Sequence, residues 1–358
     1  MSRVPENPIL RSPSSVSKWH DLAGRVLEGH RLTAVEGLAI LESGDEELLD
    51  LLAATYRVRH RWFGNEVHLN YLINAKCGGC GEDCGYCSQS RVSQAPIARY
   101  PLIGPEQVLD GARVAAERQA RTYCIVTSGR EPGAREVDML TDVVPRVKAQ
   151  YRLKICASPG LLTAEQAARL KAAGVDRVNH NLNTGRRFYP RICTTHAYQD
   201  RLDTLSAVRR AGMEICSGGI IGMGEQPSDV VDLAMELGVL EAEAVPVNFF
   251  QPIAGTPLGD AARESRPTEE QPIVTSAMSG ARLSPRYCLK VLCLFRLANP
   301  RCELRIAAGR EMHLGCLQPL GLYPANSIFV GDYLTTKGQT PEDDYRMIEA
   351  MGFQVVEA

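Results

Sequence analysis

The sequence lacks the segments that would carry the chain into or across a membrane. Residues 1–15 are polar and contain two arginines and three prolines, so they have no apolar core of the kind that a secretory signal peptide needs. No apolar run in the sequence is long enough to span a bilayer. We therefore expect a cytoplasmic chain without a membrane partner.

The sequence also lacks a basic cluster. Its net charge is −2 and its basic residues are dispersed, so it has no electrostatic footprint for nucleic acid. It contains no low-complexity tract and no repeat of fixed period, which argues against a solenoid. These absences favour an ordinary globular chain whose partners are small molecules or proteins.

Cysteine, by contrast, is plentiful. The 358 residues include 12 cysteines, and 44% of the residues are hydrophobic, which is enough to bury a sizeable core. In a cytosolic chain, cysteines are more often used for metal or redox chemistry than for disulfides. The spacing of the cysteines is therefore expected to indicate ligand sets.

A glycine-rich segment carries the most informative spacing. Cys80, Cys84 and Cys87 form a C-x3-C-x2-C triplet. A closed zinc or iron–sulfur site needs four ligands, so three thiolates predict a cluster with one open iron. Such an iron can bind a small chelating ligand, as S-adenosylmethionine (SAM) does in radical enzymes. Tyr86, just before the last cysteine, is suited to pack against an adenine.

Cys77 leaves an alternative open. It extends the run to C-x2-C-x3-C-x2-C, and four cysteines can close a zinc site or an electron-transfer cluster. Zinc usually takes C-x2-C pairs that are separated by a longer spacer, whereas only three residues separate the pairs here. The spacing favours the triplet.

Strand and helix patterns alternate along most of the chain. Residues 1–65 are predicted to be helical, with capping-box spacing at Thr33 with Glu36 and at Ser43 with Glu46. Strands are then predicted from β-rich apolar segments. The strand candidates are residues 66–75, 122–129, 153–159, 176–182, 213–221, 244–250, 302–308 and 327–331.

Eight strands, each followed by a helix-compatible segment, predict an α/β fold with a single (β/α)8 TIM-type barrel. The predicted organisation is an N-terminal helical extension (1–65), the barrel (66–340) and a C-terminal helix packing on the barrel (341–358). Residues 259–284 are polar and rich in proline, which predicts an extended surface loop. The cysteine triplet follows the first strand and so belongs to the face where barrel active sites lie.

A second set of candidate ligands lies inside the predicted strands. Cys124, Cys156 and Cys216 occupy the second, third and fifth strands at similar depths, and the seventh strand carries Arg305. Taken singly, each cysteine is well explained as a small buried side chain. A charged arginine in a barrel core needs a partner, however, and thiolates bound to iron would be one.

Asparagines cluster at the predicted strand ends. Asn179, Asn181 and Asn183 end the fourth strand, and Asn248 ends the sixth. A single asparagine there is usually a turn residue, but several on one barrel mouth suit a ligand such as a urea or a ribose. Arg201, at the start of a helix, could clamp a carboxylate.

Together these residues resemble the biotin synthase family of the radical SAM superfamily. The matching segments include NAKCGGCGEDCGYCSQS, VNHNLNT, AYQDRLDTL, EICSGGIIGMGE, VPVNFFQPIAGTPL, LRIAAGRE and ANSIFVGDYLTT, which run from Asn74 to Thr336. The resemblance implies radical insertion of sulfur into dethiobiotin to form biotin, with the sulfur supplied by an auxiliary cluster. An alternative is another radical SAM barrel enzyme, of the carbon-skeleton mutase or hydrogenase-maturation type.

The resemblance also implies a role for each candidate residue. It assigns a [4Fe–4S] cluster and SAM to the cysteine triplet, and a [2Fe–2S] cluster to the strand cysteines and Arg305. It further implies a flavodoxin- or ferredoxin-type electron donor and a homodimer. The implied assignments are Cys80, Cys84 and Cys87 for the [4Fe–4S] cluster; Cys124, Cys156, Cys216 and Arg305 for the [2Fe–2S] cluster; Tyr86, Asn181, Asn183 and Arg201 for SAM; and Asn179, Asn181, Asn248, Thr335 and Thr336 for dethiobiotin.

Overall fold

A closed ring of parallel strands forms the centre of the protein. The computed structural model describes residues 17–264 and 283–356. The strands of the ring are β1 (Glu66–Lys76), β2 (Thr122–Thr127), β3 (Lys154–Ser158), β4 (Arg177–Asn179), β5 (Glu214–Cys216), β6 (Gly219–Ile221), β7 (Ala244–Phe249), β8 (Glu303–Ile306) and β9 (Ser327–Phe329).

The strands pair in chain order, and the last returns to the first. β9 pairs with both β8 and β1, which closes the ring. β5 and β6 both pair with β7 and together form the predicted fifth strand. The ring therefore has eight strand positions, and the predicted (β/α)8 barrel is confirmed.

The break in the fifth strand has a steric cause. Gly218 lies between β5 and β6, and a Cβ atom at this position would be 1.8 Å from the carbonyl oxygen of Pro246. Only glycine lets the neighbouring strand pass so close. The interruption lies between Cys216, the register partner of Asn179 on β4, and Ile220, the register partner of Asn248 on β7.

Helices cover the outside of the barrel. In the part of the chain that the structure describes, none of these helices is both long enough and apolar enough to span a bilayer. The helices are α1 (Lys18–Leu27), α2 (Ala34–Leu41), α3 (Leu48–Phe63), α4 (Pro105–Glu117), α5 (Ala134–Gln150), α6 (Ala164–Ala172), α7 (Tyr198–Arg210), α8 (Pro227–Val239), α9 (Pro257–Glu264), α10 (Pro285–Ala298), α11 (Arg310–His313) and α12 (Pro341–Ala350).

Of the first three helices, α1 packs on α3, while α2 packs against α8 and α10, and α3 against α10. The predicted capping box of Thr33 and Glu36 is present at the start of α2. The one predicted at Ser43 is wrong, because Glu47 instead accepts a hydrogen bond from the backbone amide of Gly44 at 3.4 Å. The Ser43 hydroxyl donates to the carbonyl oxygen of Ile40.

Two segments differ from the sequence-based prediction. Helix α9 covers the start of the predicted 259–284 loop because the Thr256 hydroxyl accepts from the Gly259 amide and caps a helix that begins at Pro257. Residues 265–282 of that loop lie outside the described residues. At the C-terminus, α12 ends at Ala350, and β10 (Gln354–Val355) pairs with β1. The division of the chain into three units stays a prediction.

Candidate active site

A cavity of about 400 Å³ opens at the carboxyl ends of the barrel strands. The segment that follows β1 lies at its mouth, and side chains from inside the barrel form its floor. Of the predicted site residues, only Cys156 and Cys216 do not line it. The residues that do are Cys80, Cys84, Tyr86, Cys87, Cys124, Asn179, Asn181, Asn183, Arg201, Asn248, Arg305, Thr335 and Thr336.

The cysteine loop, residues 77–90, folds back on itself so that its three predicted ligands reach one wall. Gly78 and Gly79 have φ angles of +77° and +65°. Residues that carry a side chain rarely adopt these backbone angles, so glycine is needed to turn the chain there. A backbone hydrogen bond from Cys80 to the carbonyl of Gln89, at 3.3 Å, closes the loop. Its own backbone therefore shapes the cradle of thiols.

Cys77 lies outside this cradle. Its backbone pairs with that of Tyr100 through two hydrogen bonds of 3.1 and 3.0 Å, and it does not line the cavity. Burial raises the pKa of its thiol, although a hydrogen bond with Asn74 opposes the shift. This placement favours the three-cysteine interpretation of the loop.

Sequence analysis left Cys193 without a role, yet it contacts the cysteine loop. Its thiol forms a hydrogen bond with Cys84, which raises the pKa of Cys84 and lowers that of Cys193. Cys193 also lies 3.3 Å from Nδ1 of His196, which in turn contacts the carboxylate of Glu82. The ligand atoms of Cys193, His196 and Glu82 lie within 4.8 Å of one another.

This buried trio connects the cysteine loop to Arg201. Nε2 of His196 lies 2.8 Å from the hydroxyl of Tyr189, which accepts a hydrogen bond from Nε of Arg201. Burial lowers the pKa of His196, but hydrogen bonds to Cys193 and Glu82 outweigh it and the pKa is raised. A charged and hydrogen-bonded chain therefore orients Arg201 at the cavity wall.

Asn179, which ends β4, and Asn181 and Asn183, which follow it, are each held by specific partners. Oδ1 of Asn181 accepts from the Gly218 amide at 3.0 Å, and Nδ2 of Asn179 donates to Asn181 at 3.3 Å. Asn183 has a φ of +72° and donates to the Tyr86 hydroxyl at 2.6 Å. Asparagine tolerates this left-handed conformation better than most residues. The amides are thus fixed against the cavity wall.

Three further predicted contacts line the cavity with partners of their own. Asn248 donates to the carbonyl of Gly219 at 3.1 Å and accepts from the amide of Ala308 at 3.2 Å. The Thr335 hydroxyl lies 2.9 Å from that of Ser88, and Thr336 donates to Gln251 at 3.2 Å. These bonds hold the side chains in place at the rim and floor of the cavity.

Below the cavity floor lies the strand-thiol site, formed by Cys124, Cys156 and Cys216. Cys124 on β2 pairs in register with Cys156 on β3. Cys216 on β5 pairs in register with Asn179 on β4. The Cys156 thiol hydrogen-bonds to both other thiols, and its pKa is raised, first by Cys124 and further by burial. Three thiols from three strands therefore meet at one buried point.

Arg305 reaches the same point from the opposite side of the barrel. It is 1% exposed and its guanidinium lies 4.9 Å from the ring centre of Phe329. Burial lowers the pKa of Arg305, but Glu303 and the thiols of Cys216 and Cys124 raise it above its usual value. The arginine therefore points toward the thiols and not toward the outer helices.

The donor atoms fit iron–sulfur clusters at both positions. Each position offers three thiol groups and no disulfide, since all 12 cysteines are free. Thiolates are the ligands that iron–sulfur clusters take. The cavity between the positions also has an unsatisfied polar atom, because Nε2 of buried His180 has no hydrogen-bond partner among the described residues. That atom is available to a ligand in the cavity.

The sequence-based reading missed two charged residues beside the strand thiols. Arg177 is buried next to Cys156, its register partner, and Glu303 forms ion pairs with Arg177 and Arg305. The two-residue period of a strand was a usable signal. Arg177 is two residues from Asn179, and Glu303 is two residues from Arg305, so each shares the inward face with a predicted site residue. Cys193 and His196 had no comparable signal because their partner Glu82 is far away in sequence.

Two family models match the chain. The Radical SAM superfamily model matches residues 76–237, and the model of the Biotin and Thiamin Synthesis associated domain matches residues 246–354. Among curated relatives, the biotin synthase of Rhodopirellula baltica is 52% identical over 334 residues, covering 93% of this chain and 88% of the relative. The biotin synthase of Geobacillus kaustophilus is 52% identical over 340 residues, covering 95% and 96%.

Solved structures share the fold at low sequence identity. A methylornithine synthase (PylB) matches with a TM-score of 0.77 and 20% identity, covering 94% of this chain and 97% of that chain. The FeFe-hydrogenase maturase HydG from Carboxydothermus hydrogenoformans matches with a TM-score of 0.74 and 16% identity, covering 95% and 79%. These likenesses support the barrel architecture alone.

Proposed function

The chain belongs to the biotin synthase family and is a radical SAM enzyme. We propose that it inserts sulfur into dethiobiotin within this cavity and that the residues assigned below carry out the reaction. One observation carries the assignment. A single cavity has three thiols of the cysteine loop at its mouth and a second buried thiol set, reached through Cys124, at its floor.

We assign Cys80, Cys84 and Cys87 to a [4Fe–4S] cluster, and Cys124, Cys156 and Cys216 with Arg305 to a [2Fe–2S] cluster. Bound there with SAM, these groups would supply the radical that removes hydrogen from an unactivated carbon and the sulfur that replaces it. The protein's own contribution is to hold both sites on one rigid barrel and to exclude water from the lower one. The strand thiols support this, since each is at most 5% exposed.

The residues at the cavity mouth would position SAM. Arg201 offers a buried guanidinium that Tyr189 and the carbonyl of Asn181 already orient, the latter at 2.7 Å. An oriented guanidinium suits a carboxylate, which it can clamp through two parallel hydrogen bonds. Tyr86 and Asn183, bonded to each other, would contact the adenosine part, and Asn181 would contact the ribose.

A second group of cavity residues would bind dethiobiotin. Asn181 and Asn248 present amides, which can match both the donors and the acceptors of a ureido ring. Asn179, Thr335 and Thr336 would contact the carboxylate tail. Support for these assignments is that all of these residues line the same cavity.

Another radical SAM reaction on the same barrel is the competing proposal. Its support is limited to fold, because the solved relatives of that kind are 16–20% identical to this chain. The strand-thiol site argues against it, since a mutase needs no second sulfur-bearing cluster. Family membership at 52% identity favours biotin formation.

Family membership also supports three proposals about the enzyme's surroundings. We propose that the chain forms a homodimer, receives electrons from a flavodoxin- or ferredoxin-type protein and works in the cytoplasm. Sedimentation analysis and reduction by each donor class would test the first two proposals.

Anaerobic reconstitution followed by turnover tests the proposed function. The chain should take up about six iron atoms, four for one cluster and two for the other. Supplied with a reductant, SAM and dethiobiotin, it should form biotin. Full loading with SAM cleavage but no biotin would favour the competing radical SAM reaction.

A further inference from the structure

Glu303 lies beside the proposed ligand Arg305 in the barrel interior. The two residues are two positions apart on β8, so both side chains point to the same face of the strand. Glu303 is 7% exposed and Arg305 is 1% exposed. A carboxylate this deeply buried needs cationic or hydrogen-bonding partners to remain charged.

One oxygen of Glu303 fixes the guanidinium of Arg305. Oε1 lies 2.6 Å from Nη2 of Arg305 and accepts a hydrogen bond from the Ser327 hydroxyl at 3.0 Å. Nε of Arg305 donates to the same hydroxyl at 3.3 Å. The three side chains form a triangle of hydrogen bonds. It engages Nη2 and Nε of Arg305, whereas Nη1 bonds to neither Glu303 nor Ser327.

The other oxygen anchors Glu303 itself. Oε2 accepts from Nη1 of Arg177 at 3.1 Å and lies 3.8 Å from Nδ1 of His68. Arg177 is held from its far side by Glu214, whose carboxylate accepts from Nε at 2.9 Å. Because both of its oxygens are engaged, Glu303 cannot turn without breaking contacts on two sides of the barrel.

We infer that Glu303 is a positioning residue that holds Arg305 in the orientation in which it faces Cys124 and Cys216. This inference rests on the proposed function, in which Arg305 completes the [2Fe–2S] site. Arginine has a long, flexible side chain, so a free guanidinium would sample several orientations. Partners that orient a ligand strengthen the metal site without touching the metal.

Glu303→Gln in the reconstituted enzyme tests the inference. Glutamine keeps the size of the side chain but removes the charge that holds both arginines. Iron should leave the strand-thiol site about tenfold faster in the presence of a chelator, which is the scale of a lost outer partner. Visible circular dichroism of the [2Fe–2S] cluster follows this loss independently of turnover. The comparison variant is Glu214→Gln, which contacts Arg177 but not Arg305 and should therefore accelerate iron release less than Glu303→Gln does.

A double-mutant cycle separates positioning from general destabilisation. In an Arg305→Ala background, Glu303→Gln should cause no further acceleration of iron release, because its target is gone. Equal acceleration in both backgrounds, or wild-type release in Glu303→Gln, would overturn the inference. If the wild-type chain itself takes up about four iron atoms instead of about six, the proposed function fails, and the inference fails with it.

Discussion

Nδ2 of Asn179 donates a hydrogen bond to Sγ of Cys216 at 3.1 Å. The two residues are register partners on neighbouring strands, so the barrel itself sets this distance. Asn179 is proposed to bind the substrate and Cys216 to hold the [2Fe–2S] cluster. The contact joins the cavity wall to the strand-thiol site, so a change in one will be felt in the other.

Alanine at Cys80, Cys84 or Cys87 should abolish SAM cleavage. Each substitution removes one of three ligands from a cluster that has no spare one. Cleavage is measured as release of 5′-deoxyadenosine under reducing conditions. Cys77→Ser is the matched control and should keep most of the activity, since Cys77 pairs with Tyr100 away from the cavity. Loss of the reduced cluster's paramagnetic signal in Cys77→Ser would instead support the four-cysteine site.

Cys156→Ala should remove the [2Fe–2S] cluster and biotin formation while SAM cleavage survives. Cys156 hydrogen-bonds to both other strand thiols, so its loss breaks the centre of that site. Iron content and the two product assays separate the effects. Cys293→Ala, at a buried position in α10 that does not line the cavity, is the control. Arg305→Lys should be milder than Cys156→Ala because three thiolates remain, and an equal loss would contradict that expectation.

Asn248→Ala should weaken dethiobiotin binding by roughly 1–3 kcal/mol, the range for leaving a buried polar partner unsatisfied. Equilibrium binding of dethiobiotin and of SAM should be measured side by side, and SAM affinity should change little. Asn183→Ala is the companion variant: it should weaken SAM binding and change dethiobiotin affinity little. If Asn248→Ala lost SAM affinity instead, the sixth predicted strand would be assigned to the wrong ligand.

Acid should destabilise the protein partly through Glu36. Burial raises the pKa of this carboxyl, but hydrogen bonds from Thr33 and His30 and an ion pair with Arg25 outweigh it and lower the pKa to about 2. A lowered folded-state pKa gives stability that is present above the unfolded value of 4.5 and is lost as the pH falls toward about 2.

Glu36→Gln should therefore flatten the pH dependence of the free energy of unfolding between about pH 4.5 and 2. At neutral pH it should cost about 0.5 kcal/mol, the scale of a partly exposed ion pair, because glutamine can still accept the hydrogen bond of the capping box. Urea unfolding at a series of pH values measures both effects. The exposed Glu42, changed to Gln, is the control and should leave the profile unchanged.

Local patterns in the sequence were enough to predict the barrel and to select the candidate ligands. Alternation of β-rich and helical segments is a local property, and eight strand–helix units are the number that forms a closed (β/α)8 barrel. The spacing of Cys80, Cys84 and Cys87 is local as well, and a glycine-rich loop brings these thiols to one wall. The roles assigned to these residues stay predictions until the variants are measured.

Patterns failed where a neighbouring segment determined the conformation. The interruption at Gly218 exists because the backbone at Pro246 passes close by. The Gly218-Gly219 pair is the only local sign of it, and the prediction of one continuous strand over residues 213–221 did not use that sign. The short strand β10 exists because an edge of β1 is there to pair with it, whereas its own residues were read as helix.

The sequence by itself determined which residue types lie on which strands, and the tertiary structure alone decided which of them meet. Arg177, Glu303 and Arg305 form one buried ion network, although 126 positions separate the hydrogen-bonded pair Arg177 and Glu303. Cys193 contacts Cys84 only because the loop after β4 folds over the cysteine loop. Such contacts depend on closure of the ring, which brings distant segments together, and no local period records them.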